Sequence, residues 1–434
     1  MTNHIKKMLG ITDENLEILS VEESLLKDKK TLLINARLSP EPKACRNCGS
    51  TVWDGEGKQI IVKNGTKAST IRFAPYNHVP TVMKLKKQKY VCKNCQSYST
   101  ADASFVKENC FIAEPVKLEI IDLLSKTISY TLISNLCSVS INTVIRTLRS
   151  LEVYLPKTKG DALLPEVLMV DEFRSHAPHE EKMSFICADG ESGQLVEVLP
   201  NKRHDKLEKY FKNYSQKSLD NVKFLVTDMN ATYFKLTKTC FKQAKVIIDR
   251  FHVVKHINSA FNEFRIREVK KLNQASHQKE AKKIKTNWKL LLKNRKNIDW
   301  YVFKSWRSYR ATYSPLMTES MVIDQLLSYS DTLSETYNCF HNLLDYFRNK
   351  NQVAFFNYLK ELPKTIDREF KRKVENLLAY EEGITNALIY PYSNGKLEAK
   401  NTHIKTLKRV FYGFKSFRNM RIRIFMINGL IQIK

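Results

Sequence analysis

Five apolar runs decide the fold: EVLMVDEF (166–173), KMSFICADG (182–190), QLVEVLP (194–200), VKFLVTD (222–228) and KVIIDRF (245–251). Short apolar runs of this kind read as strands. The first three follow one another directly. A helix over about 204–215 precedes the fourth strand, and a helix over ATYFKLTKTCF (231–241) precedes the fifth.

The resulting order, β-β-β-α-β-α-β, is that of the ribonuclease H-like fold, in whose sheet the first and fourth strands are neighbours. Asp171 and Asp228 each end an apolar strand, so that sheet sets their carboxylates within a few ångströms of each other. Like charges that close force one group to take up a proton unless a cation lies between them. Mg²⁺ takes oxygen ligands and keeps several waters, so a few carboxylates suffice. Two such ions, roughly 4 Å apart, stabilise both the attacking and the leaving oxygen of an in-line phosphoryl displacement. Aspartates at strand ends also serve as plain turn formers, a reading that the matched pair weakens. Glu172 is the rival acid, on the opposite face if its strand continues.

Outward from this core, charge is the loudest signal. Seventy-two Lys and Arg against 45 Asp and Glu leave a formal charge of +27. Such a field attracts polyanions, nucleic acid first among them. At 434 residues, two to four domains are expected. No run of 18 apolar residues exists, and MTNHIKKMLGITDENLEI lacks the apolar core of a signal peptide, so no membrane partner is expected. Nine cysteines, an odd number, argue against a disulfide scaffold and for the cytoplasm.

Four of those cysteines pair as CRNC (Cys45, Cys48) and CKNC (Cys92, Cys95), separated by 43 residues. Two tight knuckles can present four thiolates tetrahedrally to one Zn²⁺, a closed structural site. KQIIVKNG, STIRFAPY and TVMKLKKQKYVC between them have β character, the makings of short hairpins in a zinc ribbon or knuckle. From Pro115 the pattern turns helical, with Val116, Ile120, Leu123 and Leu124 at helix spacing. Ser129–Leu136 gives a second helix, and Ile141–Leu151 a third that Ser140 can cap. The trio resembles a helix-turn-helix, in which Asn142, Thr143, Arg146 and Arg149 can reach phosphates or base edges; a generic three-helix bundle is the alternative.

Residues 253–390 read as long helices. From Lys255 to Arg307 they hold 15 Lys and Arg against four acids, with Trp288, Trp300 and Trp306. Tryptophans among lysines can stack on an unpaired or flipped base, or simply form a helical core. Beyond them, SNGKLEAKNTHIKTLKR (393–409) places Glu398 on a helix that Ser393 or Asn394 can start. Asn401, Lys405 and Lys408 lie roughly on its face. In DRFH, Asp249 and His252 can help position a phosphate or move a proton, or act as a cap and a half-buried histidine.

VLMVDEF, FLVTDMNATYF, VIIDRFHVVKHIN and SNGKLEAKNTHIKTLKRVFYGFKSFRNMRIRI, together with the four cysteines and three helices, resemble the ISL-three family of bacterial insertion-sequence transposases. Ala399 stands where that family commonly has Gly. The resemblance implies a DDE transposase whose acidic triad is Asp171, Asp228 and Glu398, with Asp249, His252, Asn401 and Lys405 as possible accessories. It implies two divalent ions, Mg²⁺ or Mn²⁺, beside one structural Zn²⁺. It further implies double-stranded DNA (terminal inverted repeats and target) as partner, a homodimer on DNA, and a nucleoid-associated place in the cytoplasm. No ATP site is expected, since G-x-x-x-x-G-K-[ST] does not occur. The fold expected is multidomain: an N-terminal zinc-binding β module within 1–110, a helix-turn-helix in 111–160, and an α/β ribonuclease H-like catalytic core in 161–252. An all-α insertion over 253–390 interrupts that core, which 391–434 completes. A DNA-binding regulator, or a nuclease that cuts without joining, are the alternatives.

Overall fold

A computed structural model describes residues 2–26, 28–155, 162–175, 183–309, 316–411 and 414–429. The expected boundary at 160/161 and the first residue of the KMSFICADG run lie outside them. The chain divides into two compact units, one built from Met1–Pro156 and His403–Lys434, the other from Lys157–Ser175 and His179–Thr402.

The first unit carries strands β1 (Leu16–Leu26), β2 (Lys29–Leu38), β3 (Ile61–Tyr76), β4 (Val79–Cys92) and β5 (Tyr98–Thr100) in one sheet, ordered β1-β2-β4-β3 with β5 on β4. KQIIVKNG and STIRFAPY are not separate strands. They join as β3 through a register shift between Lys63 and Thr66, where Gly65 takes a φ of +67° that side chains resist. The cysteine knuckles therefore sit at the end of a large sheet rather than on a free-standing ribbon.

Three helices follow: Glu114–Leu124, Tyr130–Leu136 and Ile141–Ser150. Ser140 Oγ accepts from the Thr143 N–H, capping the third helix as its sequence predicts, and Ser129, read as the first residue of the second helix, is instead its cap, its Oγ accepting from the Leu132 N–H. The Phe417–Ile427 helix packs with them. Its Arg423 is fully buried and donates to the carbonyls of Leu124, Lys126 and Ile128 just past the first helix.

The second unit holds β6 (Val167–Arg174), β7 (Met183–Asp189), β8 (Leu195–Leu199), β9 (Phe224–Thr227) and β10 (Lys245–Ile248), ordered β10-β9-β6-β7-β8. β6, β9 and β10 are mutually parallel; β7 and β8 run antiparallel. The predicted helix over 204–215 is two pieces, His204–Phe211 and Gln216–Asp220. Leu168 and Val170 join a core with Leu207, Phe211, Tyr233 and Phe241 on one face of the sheet. Strand alternation sends Met169 and Asp171 to the other.

Residues 250–389 pack around their own core, where Phe261 stacks on Phe340 with ring centroids 4.3 Å apart. They are not wholly helical: Lys304–Ser305 and Leu316–Met317 pair as a short antiparallel ribbon. The Glu381–Ile389 helix lies close on β10 because Gly383 has no side chain; a Cβ there would meet Ile248 at 3.0 Å.

Candidate active site

Three aspartates gather at one end of the parallel strands. β6 and β9 pair Met169 with Val226, and the same register carried two residues further sets Asp171 opposite Asp228. β9 and β10 pair Thr227 with Ile248, so the next step sets Asp228 beside Asp249. Neighbouring parallel strands lie about 4.8 Å apart, which makes this a row of aspartates whose backbones are one strand spacing apart. Asp171 does not end its strand, as its sequence suggests; β6 runs on to Arg174, and only its pairing with β9 stops short.

Asp171 is half-buried. Its Oδ1 accepts from the Glu172 N–H at 2.7 Å and its Oδ2 from Asn401 Nδ2 at 2.7 Å. Burial pushes its carboxyl up to about 6, with Asp228 adding to the rise, while the Glu172 N–H, His252 and Asn401 pull it down. Burial also raises Asp228, and the Glu172 carboxylate raises it further; His252, Thr227 and Lys202 act the other way. Two carboxyls that resist ionisation, side by side, have a deficit of positive charge between them.

Glu398 belongs to the helix Gly395–Val410, and its Oε1 lies 3.6 Å from His252 Nε2. Asp249 is buried at the N-cap of the helix Arg250–Gln274, and His252 sits in that helix's first turn. Asp249, His252 and Glu398 each offer a ligand atom, and these atoms all lie within 4.8 Å of one another. Asp171, Asp228 and Glu398 do not form such a set among the described residues. Glu398 thus groups with the pair first read as accessory, and Asn401, three residues on, donates to Asp171. Lys405 is exposed, about two turns beyond Glu398.

Sequence reasoning named two further residues, Asn394 and Glu172, but missed their partners. Asn394, which its position suggests as a helix start, is buried and donates its amide to the Val170 carbonyl, next to Asp171. Among the described residues its Oδ1 and that of Asn401 meet no hydrogen-bond donor, so two buried amide oxygens there can accept. Glu172, on the face opposite Asp171, takes Lys202 Nζ at 2.7 Å, Asn230 Nδ2 at 3.3 Å and Tyr233 Oη at 3.5 Å. The signal was present in DEF and DMNATYF, but Lys202 lies in a loop that no pattern marks.

In the first unit, Cys45 Sγ and Cys95 Sγ lie 3.6 Å apart, Cys48 Sγ and Cys92 Sγ 3.7 Å apart, and all four sulfurs within 4.8 Å of one another. Tetrahedral Zn–S bonds of about 2.3 Å require sulfurs about 3.8 Å apart, so the four thiols are compatible with zinc. Ser97 lowers the Cys95 thiol to about 5. On the third helix Asn142 and Arg146 are exposed, and Thr143 shares a hydrogen bond with Ser140. Arg149 Nε is engaged by Asn419 Oδ1 at 3.0 Å.

Comparison with known proteins agrees with the α/β unit. A family profile described as a transposase, of the ISL-three DDE group, matches residues 168–424. A Bordetella parapertussis protein, the transposase for insertion sequence element IS1001, is 22% identical over 256 residues, 58% of each chain. A Lactococcus lactis subsp. lactis protein named ATP-dependent protease is 37% identical over 119 residues, 26% of this chain and 36% of that one. The chain thus spans about a third and rather more than half of the lengths of these curated relatives. Because the family match covers more than half of the sequence and includes every acid of the site, the chain belongs to the ISL-three family of insertion-sequence transposases.

Proposed function

We propose that this protein cuts the ends of an insertion sequence and joins them to target DNA, with Asp171, Asp228 and Glu398 as its catalytic carboxylates. The observation that carries the reading is the parallel pairing of β6 with β9 up to Met169 and Val226, which, carried two residues on, would bring Asp171 and Asp228 together as a ribonuclease H-like site requires. Held by these carboxylates, two divalent ions, Mg²⁺ or Mn²⁺, would supply the missing positive charge and stabilise the attacking and leaving oxygens. The raised carboxyls and the unpartnered amide oxygens of Asn394 and Asn401 fit such ions.

Each residue then has a task. Asn401 orients Asp171 and favours its charged form. Asp249 and His252 flank Glu398, where the imidazole can hold a proton or a phosphate oxygen. Water cuts the phosphodiester first, and the freed 3′-hydroxyl then attacks the target in the same site. The four-thiol module, holding one structural Zn²⁺, and the Ser140-capped helix (Asn142, Thr143, Arg146) would bind the terminal inverted repeats as a helix-turn-helix, within the five-part division set out above. Joining two ends needs two sites, hence a homodimer on double-stranded DNA, in the cytoplasm with the nucleoid. Among the described residues no helix is long and apolar enough to cross a membrane. The lactococcal relative's name suggests ATP-driven proteolysis, for which this sequence has no Walker-type phosphate loop.

Incubation with Mg²⁺, pre-cut ends and plasmid tests the reading. Joined products that disappear with Asp228→Ala are expected. Cutting without joining would make the protein a nuclease, DNA binding with neither cutting nor joining would leave a DNA-binding regulator, and joining that persists in Asp228→Ala would remove that residue from the site.

A further inference from the structure

Apart from the carboxylate site, the helical region of the second unit carries an unusual surface. Trp300, Tyr301, Val302 and Phe303 follow one another at 59, 87, 58 and 58% exposure. Apolar groups so exposed forgo burial that stabilises a fold, and a run of four is a marker of binding. The run is also held in place. Asp299 Oδ1 accepts from the N–H groups of Tyr301 and Val302, both at 3.0 Å. The buried Glu319 carboxylate fastens both ends, accepting from the Asp299 N–H at 3.0 Å and from Lys304 Nζ at 3.1 Å. Lys293 completes that knot.

Directly beyond the aromatic run, starting at Lys304, lies a cavity of about 470 Å³. Lys289, Lys293, Lys304 and Arg307 line it against one acid, Glu319, with Trp306 as a wall. Among the described residues Lys289 and Arg307 have no carboxylate partner. The volume falls within the range of roughly 300–1,000 Å³ that takes ligands of nucleotide size.

Building on the transposase reading, we infer that Trp300–Phe303 and the neighbouring basic cavity form a second DNA site, which takes unpaired nucleotides. Aromatic faces need unstacked bases, because the faces of paired bases are covered by their neighbours, and the cations answer the phosphates. A second copy of this chain is the poorer occupant, since it brings the same excess of positive charge to the contact.

The test uses the full-length protein and two probes, a labelled oligothymidylate and a labelled blunt duplex, read by fluorescence anisotropy. Trp300→Ala combined with Tyr301→Ala should weaken oligothymidylate binding on the order of tenfold or more while duplex binding stays as in wild type. Lys289→Ala with Arg307→Ala should weaken oligothymidylate binding and make its salt dependence shallower. Trp300→Phe should restore most of the affinity, which a misfolded variant would not. Unchanged oligothymidylate binding in the alanine variants overturns the site, as does an equal loss on both probes. Loss of self-association in sedimentation, with oligothymidylate binding intact, would make the run an interface between copies instead. Failure of the wild type to bind either probe would sink the transposase reading itself, whereas duplex binding with an inert aromatic run sinks only this inference.

Discussion

Asn401 Nδ2 donates to Asp171 Oδ2 at 2.7 Å, joining residues 230 positions apart and tying the helix of Glu398 to the strand of Asp171. The bond favours the charged carboxylate. Asn401→Ala should therefore shift the acidic limb of the strand-transfer pH profile to higher pH. It should also raise the divalent-ion concentration for half-maximal rate about 10- to 100-fold, as loss of a supporting hydrogen bond does at metal sites. A variant with wild-type metal dependence and pH profile would show that the bond only packs the helix.

The raised carboxyl of Asp171 has a consequence for stability. A folded-state value near 6 against an unfolded value near 3.8 means that the native protein holds the proton longer. Stability then falls as pH rises between those values, and the full cost, on the order of 3 kcal/mol, is present at pH 7. Asp171→Asn should accordingly raise the melting temperature in chelator at neutral pH while abolishing cleavage, and the gain should vanish near pH 4. An unchanged or lowered melting temperature at pH 7 would contradict the placement of this acid.

The same pair of residues shows how far sequence reaches. Asp171 and Asp228 were legible because each follows a short apolar run, and the strand order alone makes those runs neighbours. The first of the three helices was legible from its apolar spacing and the third from Ser140, a cap whose bond forms as its position predicts, whereas the cap at Ser129 was not foreseen. What no local pattern encodes is convergence. Asn394 reaches Val170 across 224 positions, and Lys202 reaches Glu172 across 30, through side chains in loops and first turns. Glu398 illustrates the limit, since its immediate neighbours proved to be Asp249 and His252.

Lys202 is the cation that makes Glu172 tolerable beside Asp228. Lys202→Met would leave that carboxylate uncompensated, and the charge would raise Asp228 further. The expected result is a roughly tenfold slower strand transfer near neutral pH, recovering toward higher pH. Pairing it with Glu172→Gln should relieve the defect, because the repelling charge is then gone. If the double variant were no better than the single one, the two residues would not act through Asp228.

The four-thiol cluster predicts one zinc per chain by elemental analysis of the purified protein. Cys95→Ser removes one of four ligands, so zinc should be lost and the first unit destabilised, since binding energy at such sites is folding energy. The proposed carboxylate chemistry belongs to the other unit, so binding to terminal repeats should fall much more than cleavage of a saturating, pre-bound substrate. Retention of stoichiometric zinc in the variant would rule out this set of ligands.

Arg423 offers the most demanding test of the first unit. Burial lowers its guanidinium to about 10, yet it stays charged because three carbonyl oxygens, those of Leu124, Lys126 and Ile128, receive its protons. These carbonyls lie at and just past a helix end, where intrahelical donors run out, although the Ile128 N–H also reaches the Lys126 carbonyl at 2.9 Å. Arg423→Met preserves much of the volume but removes the donor to the Leu124 and Ile128 carbonyls, at about 1–3 kcal/mol for each buried group left unmade, while the Lys126 carbonyl keeps the Ile128 N–H. The variant should lose at least about 2 kcal/mol in chemical denaturation, confined to the transition of the unit that contains the three helices. Arg423→Lys, with a single ammonium in place of the planar fork, should recover only part of the loss. Equal stability of the methionine variant and wild type would mean that water reaches those carbonyls, and that the C-terminal helix is not what closes this end of the bundle.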